Sequence, residues 1–122
     1  MSRIVHFEIN TPDVEATTAF YGSVFGWQFN KWEGDEQTYW LVTTGEDGTP
    51  GINGGMMSID DWPQTVNTIQ VESIDAFTEK ITESGGEVVV PKMAIKGAGY
   101  SAYFRDPNGI AFGIFENDPS AA

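Results

Sequence analysis

The chain has no cysteine, which removes disulfides, thiolate nucleophiles and cysteine metal sites together. Basic residues are scarce. Six Lys and Arg stand against 18 Asp and Glu, and the net charge of −12 repels phosphate backbones and anionic lipid, so neither nucleic acid nor a membrane is expected as a partner. Only one histidine is present, hence only one side chain with an ordinary pKa near neutrality. No apolar run approaches the ~18 residues that span a bilayer. The opening Met1-Ser2-Arg3-Ile4-Val5-His6-Phe7-Glu8 places charges where a signal peptide needs an apolar stretch, so a cytoplasmic protein is expected. What is there suffices for one domain: 122 residues, 40% hydrophobic and 13% aromatic, with no room for a second core of domain size. The acidity fits either an ordinary solvated surface or adaptation to high salt.

Residues 4–10 alternate, with Val5, Phe7 and Ile9 on one face of a strand and His6, Glu8 and Asn10 on the other. Thr11-Pro12-Asp13 then opens a helix, with Thr11 as the expected cap and apolar residues at Val14, Phe20, Tyr21 and Val24; Gly22 and Gly26 bracket its end. Strands are predicted over 27–32 and 38–43, separated by a turn at Gly34-Asp35, and a weak glycine-rich strand over 51–58 follows the turn Glu46-Asp47-Gly48. After a link over 59–65 the order repeats: strand 66–72, helix 73–84, then three strands to residue 116 and a tail over 117–122. An offset of 60 puts Ile9 on Ile69, Val14 on Ile74, Ala16 on Ala76 and Gly26 on Gly86. The simplest description is a duplicated βαβββ unit, because each unit alone leaves a sheet face exposed that pairing covers.

Three stretches carry a family resemblance: His6-Phe7-Glu8-Ile9-Asn10-Thr11-Pro12-Asp13 leading into Ala19-Phe20-Tyr21, the junction Phe25-Gly26-Trp27, and Gly97-Ala98-Gly99-Tyr100 through Arg105-Asp106-Pro107-Asn108-Gly109-Ile110-Ala111-Phe112-Gly113. The chain resembles, over nearly its whole length, the vicinal oxygen chelate superfamily, which includes glyoxalase I, extradiol dioxygenases, methylmalonyl-CoA epimerase and the bleomycin and fosfomycin resistance proteins; within it, the likeness is to a glyoxalase-like bacterial branch. The resemblance implies an α+β fold in which two βαβββ modules form a cupped eight-stranded mixed sheet with the helices outside. It also implies pairing into homodimers and a divalent metal held from the first and last strands of each module.

Taken position by position, the metal positions implied by the resemblance are His6, Val66, Gly113 and the segment Gly54-Gly55-Met56. Only His6 carries a ligand, and a catalytic divalent site needs about three protein ligands. The expectation is therefore no cofactor. A rearranged site of His6, Glu8 and another carboxylate, with Gln70 and Glu72 on the corresponding face of the second module, is the alternative. His6 and Glu8 are the candidate catalytic pair, since same-face neighbours on a strand lie about 6.5–7 Å apart at Cα. Trp40, Met57, Gln70, Tyr100 and Phe115 are candidate ligand-binding residues, drawn from an aromatic and thioether set that strand alternation must divide between pocket and core. Two function classes follow: a protein that binds a small organic molecule without the usual complete metal site, or a metal-dependent lyase, isomerase or dioxygenase of the glyoxalase type. A cavity filled by the protein's own side chains, leaving an interaction module, is a third.

Overall fold

The computed structural model describes residues 2–32 and 38–122, so the predicted turn at Gly34-Asp35 lies outside the described residues. The elements are β1 (Arg3–Asn10), α1 (Val14–Phe25), β2 (Gln28–Lys31), β3 (Trp40–Thr43), β4 (Gly54–Met57), β5 (Thr65–Gln70), α2 (Ile74–Glu83), β6 (Glu87–Ile95), β7 (Gly99–Arg105) and β8 (Ala111–Asn117). This is the α+β arrangement of two βαβββ modules, with eight strands in a mixed sheet and two helices. The strands run β2-β3-β4-β1 in the first module and β5-β8-β7-β6 in the second. By compactness the chain divides at the same place, into His6–Val66 on one side and Asn67–Ala122, with the residues before His6, on the other.

The repeat is visible in the helix starts. Asp13 and Ser73 hold extended backbone, and their side chains accept from the backbone N–H of Ala16 and Ala76, the third residue of each helix. Thr11 was the expected cap of α1. Its hydroxyl instead bonds Thr17 and the backbone of Asp13, because Pro12 sets the chain on an extended path and the helical turn begins two residues later. Gly26 ends α1 at a φ of +75°, a left-handed conformation that glycine adopts without penalty.

In the second module, Ile74, Phe77 and Ile81 of α2 pack on a core of Val71, Ala102, Phe104 and Ile114. Ile74 and Phe104 are fully buried, each contributing roughly 2–3 kcal/mol. Strand β6 runs through Pro91 to Ile95. It does so because β6 is the outer strand of its module, where a missing N–H costs no ladder bond, and the register shifts on either side of Val90 absorb the irregularity. Among the described residues no helix is long and apolar enough to cross a membrane.

Candidate functional site

Register decides which side chains share a face. In the parallel β1–β4 pair, Glu8 stands beside Gly55 and Asn10 beside Met57, while Phe7 and Ile9 align with Gly54 and Met56. The antiparallel β3–β4 pair sets Trp40 beside Met56 and Leu41 beside Gly55. Phe7, Ile9, Trp40 and Met56 therefore share the face under α1, where Phe7 meets Trp27 and Trp27 stacks on Tyr21. His6, Glu8, Leu41 and Met57 share the other, and alternation adds Tyr39, two residues before Leu41.

On that face a hydrogen-bonded chain forms. Tyr39 Oη donates to Glu8 Oε2 at 2.9 Å and lies 3.1 Å from His6 Nε2; His6 Nε2 and Glu8 Oε2 are 4.0 Å apart. The carboxylate only accepts, so the single phenolic proton goes to Glu8, and the His6–Tyr39 contact requires a proton on Nε2. The imidazole is then the Nε2–H tautomer, with its lone pair at Nδ1. Glu8 is buried at 6% exposure, whereas the His6 side chain is one-third exposed, so the solvent-reachable end of the chain is the imidazole. Gly55 makes this possible: a Cβ there would fall on the Tyr39 hydroxyl.

Burial lowers the His6 pKa from the ordinary 6.5, and the Glu8 charge partly offsets this by raising it. Because the folded state binds this proton less readily than the unfolded chain, the contribution of His6 to stability is complete above pH about 6.5 and falls away as pH drops towards the lowered folded value. An NMR titration of His6 should show a midpoint below 6.5 that moves lower still in Glu8→Gln; a midpoint unmoved by that substitution contradicts the arrangement.

The other sequence-nominated residues divide. Met57 lies with His6 and Glu8. Gln70 and Phe115 are side by side across the parallel β5–β8 pair of the second module, on the face away from α2. Trp40 and Tyr100 do not join these groups. Trp40 aligns with Met56 under α1, and Tyr100 packs against the α2 core with the Lys92 ammonium 4.6 Å from its ring centre. Strand spacing could not assign these faces, because each depends on a register set by loops.

The donors present do not suit a divalent metal. Val66 is buried and has no donor, the segment Gly54-Gly55-Met56 offers no hard ligand and has Tyr39 over Gly55, and Gly113 is covered by Tyr103, whose ring carbon would lie 3.0 Å from an added Cβ. Glu8 and His6 are turned to Tyr39, and among the described residues no three His, Asp or Glu side chains converge. Tyr39 is the residue that sequence reasoning missed as a partner of His6; the available signal was its even spacing from Leu41 opposite a glycine.

The Glyoxalase/Bleomycin resistance protein/Dioxygenase superfamily profile matches residues 3–114, and the chain belongs to that superfamily. Among curated proteins it is similar to CFP32 of Mycobacterium bovis, 31% identical over 119 residues, covering 89% of this chain but 43% of that protein. The chain thus spans less than half the length of that relative. Among solved structures, the hypothetical protein BH1468 from Bacillus halodurans superposes with a TM-score of 0.72 at 11% identity, covering 99% of this chain and 98% of the other. Methylmalonyl-CoA epimerase from Mycobacterium tuberculosis gives 0.67 at 15% identity, over 95% and 88%. At these identities the structural likeness concerns the fold.

Proposed function

We propose that this protein binds a small organic molecule at the His6 end of the Glu8–Tyr39–His6 chain, without a metal. The hydrogen-bonded chain itself carries the reading. A buried carboxylate fixes a phenol, the phenol fixes the imidazole tautomer, and the one-third-exposed ring keeps its Nδ1 lone pair as an acceptor for an O–H or N–H of a bound molecule. A group arranged only for packing has no need of an oriented, reachable imidazole. Val66, Gly113 and the segment Gly54-Gly55-Met56, at the other positions where the family resemblance implies metal ligands, support the metal-free form of the reading.

A thermal-shift screen of small metabolites tests this, since a ligand of the folded state raises stability by RT ln(1 + [L]/Kd). Hits should raise Tm equally with and without a chelator. A response that appears only with added divalent metal overturns the reading in favour of a metal-dependent lyase, isomerase or dioxygenase.

The same proposal extends to pairing with a second copy. Phe20, Val24 and Phe25 of α1 are 55–60% exposed, a cluster of apolar side chains that a soluble monomer seldom presents. Sedimentation at micromolar concentration and moderate salt should give the mass of a dimer, and a monomer throughout contradicts it. Low salt alone could part subunits carrying −12 each.

A further inference from the structure

We propose that the first module carries a second site, a cleft beneath α1 on the sheet face opposite His6 and Glu8, that takes an uncharged aromatic molecule bearing a hydroxyl group. The internal repeat shows how the cleft arises. Helices α1 and α2 begin at residues 14 and 74, so the offset of 60 read from the sequence holds in the structure. In the second module the space between helix and sheet is filled by Val71, Phe77 and Ile81 around Ile74 and Phe104. The residues at the same stations in the first module are Thr11, Thr17 and Tyr21. Two apolar side chains, one of them a phenyl ring, are thus replaced by two threonines. No residue of α1 is buried, whereas Ile74 of α2 is completely so. A cleft of about 500 Å³ opens between α1 and β1, within the range of small-molecule sites.

Its lining sets the ligand chemistry. Phe7 and Ile9 form the floor, and Tyr21, stacked on Trp27 at 4.8 Å and 12° between planes, forms an aromatic wall that suits a flat ring. At the other end the Thr11 and Thr17 hydroxyls are 2.8 Å apart. The Thr11 hydroxyl donates to the Asp13 carbonyl at 3.2 Å, so Thr17 supplies the proton between the two and keeps lone pairs with which to accept from a ligand O–H. None of these six side chains is charged. A net charge of −12 further disfavours an anion, which leaves a neutral hydroxylated aromatic, and 2-naphthol is a probe of that class that the cleft has room for.

The site goes beyond the His6 reading, and one experiment separates them. Isotope-labelled protein is titrated with 2-naphthol and followed by amide and indole NMR signals. Saturable shifts should centre on Thr11, Thr17 and the Trp27 indole, and His6→Ala should bind within twofold of the parent. Thr17→Phe, which restores the ring present at Phe77, should weaken binding at least tenfold. Thr17→Leu, which fills the cleft with less strain and remains informative if the phenyl variant does not fold, should weaken it at least threefold. Shifts centred on His6 and Met57, undiminished affinity in the folded Thr17 variants, or no saturable binding would each overturn the proposal.

Discussion

Gly54→Ala should destabilise the protein by about 3 kcal/mol or more, near the upper end for a single substitution. Gly54 pairs with Phe7 in the parallel β1–β4 ladder, and an added Cβ would meet the Phe7 carbonyl oxygen and lie 2.7 Å from two carbons of its ring. Backbone of a paired strand cannot swing aside. To admit one methyl group, β4 must draw away from β1 and forfeit ladder bonds on a strand whose four residues are all buried. At roughly 3–5 °C per kcal/mol for a domain of this size, Tm should fall by about 10 °C or more. Gly55→Ala is the informative comparison. The atoms nearest its Cβ are the hydroxyl and outer ring carbons of Tyr39, a side chain that can rotate out, so the fold should lose far less while the chain to His6 is broken. Equal Tm values for the two variants would contradict this account of the β1–β4 contact.

Much of this site was legible in the sequence, and the limits have physical causes. Period-two alternation placed His6 and Glu8 together, and the repeat offset of 60 was exact at both helix starts. Trp40 and Tyr100 could not be assigned that way, because strand alternation gives two faces without saying which one a helix covers. Tyr39 lies just before β3, and its meeting with Glu8 depends on a cross-strand register that includes a residue with no side chain, Gly55. The cleft under α1 was missed for a related reason: Thr11 and Thr17 read as a cap and a helix residue, and their significance appears only beside Val71 and Phe77. In Asp106-Pro107-Asn108-Gly109 each residue type suits a turn, and the chain turns there. Asp106 Oδ1 accepts from the N–H groups of Asn108 and Ile110, and Gly109 takes a φ of +85°.

Tyr39→Phe should lower affinity for a hit from the metabolite screen at least tenfold. The phenyl ring keeps the packing over Gly55 and removes one oxygen, so Glu8 loses this donor and His6 Nε2 loses its acceptor. A hydrogen bond to a charged group contributes about 1.5–3 kcal/mol, so the loss of this one lowers stability moderately as well. The two effects separate because the Tm change reports the Glu8 contact, whereas affinity, corrected for the folded fraction, reports the orientation of the imidazole. An unchanged affinity with the same stability loss would mean that Tyr39 serves packing alone.

The claim at the centre, a neutral imidazole held by Tyr39 with Nδ1 facing its ligand, is open to direct observation because His6 is the chain's only histidine. Its ring nitrogens give a single pair of ¹⁵N resonances. Above pH 7 they should show a proton on Nε2 and a bare Nδ1, and adding the screened ligand should move Nδ1 far more than Nε2. A ring protonated on Nδ1, or an Nδ1 signal indifferent to saturating ligand, would contradict it.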